Sequence, residues 1–266
     1  MSNETSGRGR LAGKVALVTG STSGIGAGIA GLFAQEGARV LIHGRNEEAG
    51  QRVISQLKQA GVPDEHLAFH AADLLDVEQC RALVRRAGEV FDGLDVLVNN
   101  AGDFTRGTID DTTVELWDFQ MALNLRAPFL LAQAAVPLMR ERGSGSIVNI
   151  GSVNAYIGGQ NLTSYSVTKG GLMTFTKNVA RQLARDHIRV NQLNVGWTLT
   201  EGEHRVQTKE MGREDWLEAV ALPTRPFGCL LSPRDIAFAA LYFASDESQL
   251  VTGSVLDVEQ SPVGGS

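Results

Sequence analysis

Cysteine is nearly absent from this chain of 266 residues, which has only Cys80 and Cys229. The two lie far apart, with no CxxC pair and no metal-ligand spacing around them, so neither a disulfide framework nor a zinc or other metal site is expected. Positive charge is also in short supply: 24 Lys and Arg against 30 Asp and Glu give a formal net charge of -6. No concentrated basic run is available to neutralise phosphates, so no nucleic-acid partner is expected. Residues 1–10 are polar and Gly-rich without the apolar core of a secretion signal, and no later run reads as long and apolar enough to span a bilayer. A soluble, cytoplasmic protein with no membrane partner is the expectation. None of the five histidines (His43, His66, His70, His187, His204) stands in a nucleophile-base motif, and no G-x-S-x-G occurs, which disfavours an acyl-enzyme mechanism.

What is present is a globular composition, 43% hydrophobic and 20% charged, rich enough in apolar residues to build a sizeable core. From Lys14 onward, short runs of Val, Ile and Leu alternate with longer helical patterns, the signature of repeated βαβ units. Seven strands are predicted: Val15 to Thr19, Arg39 to His43, Leu67 to Ala71, Val96 to Asn99, Ser146 to Ile150, Arg189 to Leu193 and Val255 to Val258. The fold class is α/β, a single-domain doubly wound (Rossmann) fold with a seven-stranded parallel sheet and helices on both faces. A flexible tail over 1–10 is expected to precede the domain, residues 11–266. Within it, the Gly- and Pro-containing stretch 197–231 reads as a long substrate loop or lid.

Local signals refine this. Ile25, Ile29, Leu32 and Phe33 follow the i, i+4, i+7, i+8 rule of a helix buried on one side, which Gly37 stops. Asn46 caps the second helix, with Glu47 and Glu48 at its positive end. Pro128 and Pro137 fall inside a long helical pattern from Thr113 to Arg142, where each removes a backbone donor.

Between the first strand and first helix, Gly20, Ser21, Thr22, Ser23, Gly24, Ile25 and Gly26 form a loop of small residues ending at a helix N-terminus, the arrangement that holds a pyrophosphate. A literal GxGxxG at Gly26, Gly28 and Gly31 begins a turn too late and is assigned to close helix-to-sheet packing. At the end of the second strand, where an acid would grip a free ribose 2′-hydroxyl, stands His43-Gly44-Arg45. Arg45 suits a 2′-phosphate, so NADP is favoured over NAD.

Further along, Tyr165 and Lys169 stand four residues apart in a helical pattern and leave one face of the helix. An ammonium beside a phenol lowers its pKa and brings proton exchange with an alcohol or ketone within reach of neutrality.

Taken with Thr19 to Gly26, Asn99-Asn100-Ala101-Gly102 and Ser152, this pair makes the chain resemble the short-chain dehydrogenase/reductase family from about Lys14 to Val258. The resemblance implies a hydride transfer between NAD(P) and an alcohol or carbonyl substrate. By resemblance Tyr165 is the acid/base, Lys169 also holds the nicotinamide ribose, Ser152 hydrogen-bonds the substrate oxygen, and Asn124 supports a water relay to the lysine. Asp73 and Leu74 match the adenine contact, Asn100, Ala101 and Gly102 line the cofactor cleft, and Gly196, Thr198 and Thr200 contact the nicotinamide end. A homotetramer is implied as well.

Two departures stand out: Val195 replaces the proline common before Gly196, which leaves the loop a freer φ, and Glu259-Gln260 replaces a glycine pair, facing either a subunit contact or the substrate cleft. Asp103, Phe104, Asn154, Gln160, Trp197, Glu201, Glu203, His204 and Arg205 are placed near the reacting carbon and suit a polar polyol or sugar. The alternatives are a 3-oxoacyl-carrier-protein reductase, served by a basic entrance from Arg10, Arg126, Arg140 and Arg142, and a cofactor-binding regulator without chemistry.

Overall fold

The computed structural model describes residues 9–263. Sixteen main elements follow one another: β1 (Val15–Val18), α1 (Gly24–Gln35), β2 (Arg39–Gly44), α2 (Glu47–Gln59), β3 (Leu67–Ala71), α3 (Val77–Phe91), β4 (Val96–Asn99), α4 (Val114–Met121), α5 (Ala127–Glu141), β5 (Gly145–Ser152), α6 (Asn154–Ile157), α7 (Thr163–Leu183), β6 (Ile188–Val195), α8 (Glu201–Met211), α9 (Pro233–Ala244) and β7 (Val255–Val258). The strands form one sheet in the order β3-β2-β1-β4-β5-β6-β7, with every neighbouring pair parallel. All seven expected strands are present. β5 and β6 run further than expected because they stay in register to the pair Ser152 and Val195.

Alternation along each strand divides the core into two layers. Ala16, Val18, Val40 and Ile42 face α1 and α9, packing with Ile29, Phe33, Ile236 and Leu241. Val15, Leu17, Leu41 and Leu97 face the other way, against Leu83, Leu131, Ala135 and Met139 of α3 and α5. Each buried Val, Leu, Ile, Phe or Met among them contributes about 1.5–3 kcal/mol, so the two-sided apolar pattern of the strands itself requires helices on both faces. Asn46 caps α2 as expected, accepting from the Ala49 N–H at 2.9 Å.

Elsewhere the structure departs from the sequence reading. The pattern from 113 to 142 is not one regular helix: a π-helical turn, Ala122–Arg126, joins α4 to α5. Pro128 thereby falls in the first turn of α5, where a missing N–H is tolerated, while Pro137 lies inside it. The continuous run Val114–Glu141 is long and apolar enough to cross a membrane by length and composition, contrary to expectation, yet Leu130, Leu131, Ala135 and Met139 are buried in the core.

The helical glycines pack closely, as expected, but not all against the sheet. A Cβ on Gly28 would meet Pro233 of α9 at 2.9 Å, and one on Gly31 would meet Leu57 of α2 at 3.4 Å. The stretch 197–231 is largely helical, comprising α8, a π-turn at Leu217–Ala221 and a 3-10 turn at Leu222–Thr224. Residues 1–8 of the expected tail lie outside the described residues, while the Arg10 N–H donates to Glu36 and its guanidinium pairs with Glu247.

Replacing Asn46 by Ala is expected to lower unfolding stability by about 1 kcal/mol, read as a shift in urea midpoint, whereas Asn46→Asp, which keeps an acceptor for the Ala49 N–H, is expected to retain most of the wild-type stability.

Candidate active site

The chain leaves β1 for β2 on one side while β4 pairs on the other, and a crevice opens at the carboxyl ends of the strands at this switch point. It forms a cleft of about 680 Å³. Its floor is tied by hydrogen bonds. The Thr19 hydroxyl accepts from the Asn100 and Ala101 N–H groups at 2.9 and 3.1 Å, and the Asn100 amide donates to the carbonyls of Thr19 and Gly20. Gly20 takes φ 63° and Gly24 φ 54°, conformations that glycine adopts at no steric cost. A Cβ on Gly26 would stand 2.2 Å from the Gly20 carbonyl oxygen, so the loop closes only around glycine.

α1 starts at this loop without a side-chain cap from Ser23 and without an acid in its first turn. By contrast α2, α3, α4, α8 and α9 each carry a side-chain cap. The first-turn amides of α1 are therefore donors with partial positive charge facing the cleft, fit for a phosphate. Ser21 is a correction: it is fully buried and does not line the cleft. Its hydroxyl donates to Val18 O at 2.7 Å and accepts from the His43 N–H at 2.9 Å, so its role is to shape the loop.

His43 is the floor residue that motif reasoning passed over. Its Nδ1 accepts from the Gly20 N–H at 3.1 Å, which leaves Nε2 to carry the proton toward Ala72 O, also at 3.1 Å. The ring thus links the glycine loop to the end of β3. Burial pushes its pKa down to about 4, with the Ala72 bond acting upward and His70 downward.

Past it, Arg45 and Leu74 line the far end of the cleft with Asp73. Arg45 is exposed. The Asp73 carboxylate accepts from the Leu75 N–H at 3.0 Å, while the cap of α3 is Asp76.

At the opposite end, α7 carries Tyr165 and Lys169 one turn apart, and β5 ends in Ser152. All three line the cleft. Lys169 is buried, and its ammonium donates to Ile150 O at 2.8 Å while lying 5.6 Å from the Tyr165 ring centroid. Burial pushes its pKa down to about 8. The expected lowering of the phenol pKa is not found. Burial drives the Tyr165 pKa above its ordinary value, with the Ser152 hydroxyl drawing it down, Glu203 pushing up, Arg106 down and Asp103 up. The ammonium is directed to a carbonyl beside the ring, and burial disfavours charge on the phenol.

Asn124 sits in the π-turn, buried, with its side chain closing a two-way bond to Asp103: Oδ1 accepts from the N–H and Nδ2 donates to the carbonyl, both at 2.8 Å. It does not line the cleft but stands behind Gly102, whose added Cβ would lie 3.2 Å from Asn124 Oδ1 and 3.7 Å from Lys169 Nζ.

Gly196, Thr198 and Thr200 line the cleft beside Trp197. Val195 is the last residue of β6, paired with both Ser152 and Val258. Glu259 also lines the cleft, its Oε2 at 3.7 Å from Arg225. Gln260 faces away and ties down the turn at Phe227 and Cys229. Of the residues expected near the reacting carbon, His204 and Gln160 do not line the cleft. His204 Nδ1 accepts from the Trp216 indole at 3.0 Å.

Residues 20–260 match the family model described as enoyl-(acyl carrier protein) reductase. The chain is 33% identical to a D-xylose 1-dehydrogenase of Caulobacter vibrioides, with 91% of this chain and 93% of that protein covered. It is 32% identical to a D-beta-hydroxybutyrate dehydrogenase of Cupriavidus necator, with 94% and 97% covered. A solved short-chain dehydrogenase/reductase from Burkholderia xenovorans superposes with a TM-score of 0.89 at 31% identity, over 95% of this chain and 97% of that one. The chain belongs to the short-chain dehydrogenase/reductase family.

As a member of that family it is an NAD(P)-dependent oxidoreductase acting on CH–OH groups. The uncapped start of α1 and the glycine-closed loop fit the dinucleotide's phosphates, and buried Lys169 leaves ammonium hydrogens beyond its one carbonyl bond. Besides His43, sequence reasoning missed Arg106 in the cleft wall, because no motif or period marks it.

Because unfolded His43 takes a proton near its ordinary value of 6.5 and the folded ring only near 4, its stabilising share is complete above pH 6.5 and is lost as pH falls toward 4. His70, also held below 6.5, acts in the same direction. Urea midpoints of the wild-type dehydrogenase are expected to fall between pH 7 and pH 5, and to fall less in His43→Asn.

Proposed function

We propose that this enzyme transfers a hydride between NADP, used in preference to NAD, and the carbinol or carbonyl carbon of a polar hydroxy compound, with Tyr165 exchanging the proton at the substrate oxygen. The observation that carries this reading is one continuous cleft with Arg45 and the uncapped end of α1 at one extremity and Tyr165, Ser152 and Lys169 at the other. The nicotinamide dinucleotide, when bound, supplies or accepts the hydride. Gly20, Thr22, Ser23, Gly24, Ile25 and Gly26 hold its phosphates, with Ser21 shaping the loop beneath. Arg45 pairs with the 2′-phosphate, Asp73 and Leu74 bound the adenine, and Asn100, Ala101, Gly102, Gly196, Thr198 and Thr200 bound the nicotinamide end.

Ser152 donates to or accepts from the substrate oxygen and holds it against the phenol. Tyr165 gives up or takes the proton there. Its raised pKa keeps it protonated at neutrality, the state needed to reduce a carbonyl. Lys169, with a pKa near 8, exchanges protons more readily than an ordinary ammonium and serves as the group behind the phenol. Asn124 acts one shell further back as a positioning residue, fixing the backbone at Asp103 and supporting the proton relay.

The polar lining of the substrate end supports a small hydroxylated substrate, as do relatives named for D-xylose and D-beta-hydroxybutyrate. The alternative of a carrier-protein substrate keeps partial support from the family model described as enoyl-(acyl carrier protein) reductase, but of its basic entrance Arg10, Arg140 and Arg142 are paired with Glu247, Asp186 and Asp95, which leaves Arg126 as the cation without a carboxylate partner among the described residues. The proposal includes one catalytic domain over 11–266, residues 197–231 covering the substrate end, a cytoplasmic location and a homotetramer.

Tyr165→Phe is expected to lower kcat by roughly a hundredfold or more while cofactor Kd, read by fluorescence titration, stays within a few fold; unchanged turnover rejects the assignment of the acid. Arg45→Ala is expected to lower the kcat/KM ratio of NADP to NAD by about tenfold or more, the worth of a charge-assisted phosphate contact. An unaltered ratio removes Arg45 from that role.

A further inference from the structure

Within the substrate end one acid and one base stand side by side with bonding capacity to spare. Glu203, on α8, has both the Trp197 indole N–H and the Gln207 amide donating to the same oxygen, Oε1, at 2.8 and 2.7 Å. Its Oε2 makes no hydrogen bond to any described residue, and the side chain, 14% exposed, lines the cleft. Arg106, in the segment between β4 and α4, stands beside it. Its Nε donates to Glu210 at 2.7 Å, its Nη2 stands 4.0 Å from Glu203 Oε1, and its remaining N–H groups have no partner among the described residues.

Both side chains are held in advance of any ligand. Gly107, next to Arg106, bridges to Leu162, and the Thr163 N–H donates to Gly107 O, so the arginine's backbone is pinned to the start of α7 two residues before Tyr165. Glu203 is anchored through Trp197, whose ring is stacked on Trp216 at 5.8 Å and has the Arg225 guanidinium at 5.5 Å. With these partners in place that indole is an anchor for the carboxylate and not a stacking platform for a sugar ring.

We propose that Arg106 and Glu203 form a donor-acceptor clamp that selects neutral substrates carrying a second hydroxyl beside the reacting carbon. This rests on the oxidoreductase reading above and narrows its substrate class. A hydroxyl both donates and accepts, so a vicinal diol or aldose gives its proton to Glu203 Oε2 and its lone pair to Arg106. Preorganisation of both groups keeps the ordering cost of that recognition low.

Charge then discriminates. The Arg106 cation is already shared with Glu210 and Glu203, and the carboxylate of Asp103 lies on the same cleft wall. A hydroxy-acid anion placed there meets more negative than positive charge in a partly dry cleft, where like charges cost most. The proximity to the chemistry is electrostatic as well as spatial, since Arg106 and Glu203 both act on the Tyr165 phenol.

The test is a panel of neutral polyols and aldoses, mono-alcohols of matched chain length and hydroxy acids, assayed for kcat/KM with both cofactors in wild type, Glu203→Gln and Arg106→Lys. Glu203→Gln leaves an oxygen for Trp197 and turns the free acceptor into a donor; Arg106→Lys keeps a cation for Glu210. The wild type is expected to prefer diols, and each variant to lower the diol to mono-alcohol ratio by about tenfold, the loss of one charged hydrogen bond.

Equal losses on diols and mono-alcohols, an unchanged ratio in a variant whose thermal midpoint shows it folded, or a wild-type preference for hydroxy acids overturns the clamp alone. Absence of turnover across the whole panel in wild type overturns the oxidoreductase reading and the clamp with it.

Discussion

The hydrogen-bonded knot that joins the carboxyl ends of four parallel strands is what the rest of the site depends on. Thr19 and Gly20 after β1, Asn100 after β4, His43 at the end of β2 and Ala72 after β3 are linked through side chains that each satisfy backbone groups of a neighbouring segment. A parallel sheet leaves such groups unpaired where its strands diverge, and burying them unpaired is costly. Closing them with Asn and neutral His side chains sets the height of the glycine loop, hence where α1 begins and where the cleft opens.

Chemistry at the other end of the cleft is governed by burial. Lys169 is sunk against one carbonyl with no salt-bridge partner among the described residues, and its pKa falls; Tyr165 is pushed the opposite way. Both shifts have one cause, since low solvent access disfavours the charged form of each group. The pair therefore carries less charge than two exposed groups of the same types, with the Ser152 hydroxyl and Arg106 drawing the phenol down and Glu203 and Asp103 adding to the larger upward effect of burial. Asn124 is held in a π-turn, which turns its amide onto the Asp103 backbone; a regular helix from 114 to 141 would carry Asn124 at a different angle.

The wall built from residues 197–231 owes its shape to a small core of its own. Trp216, Ala221 and Leu230 are buried together, flanked by Trp197, Leu199 and Leu217, and a bridge between Thr198 and Leu231 closes the base of the excursion. Glycine and proline suggested a loop here because they punctuate local structure. In the fold they mark the ends of short helices instead: Gly212 caps α8 in the left-handed region and Pro223 opens a 3-10 turn. A wall with packed tryptophans holds Glu203 and Arg225 in defined places, which an irregular loop would not.

Much of the fold was legible without coordinates because it is written in local periodicity. The seven apolar runs, the stripe on α1, the cap at Asn46 and the four-residue spacing of Tyr165 and Lys169 each depend on residues near one another in the chain, and strand and helix geometry convert them directly into faces and turns. The glycine loop was readable for the same reason. What only the tertiary structure decided were contacts between distant segments: His43 against Gly20 and Ala72, Arg106 against Glu210 across 104 residues, Glu259 against Arg225, and the direction of the Tyr165 shift. No period encodes such pairs, because burial and partnership are properties of where chain segments meet in space.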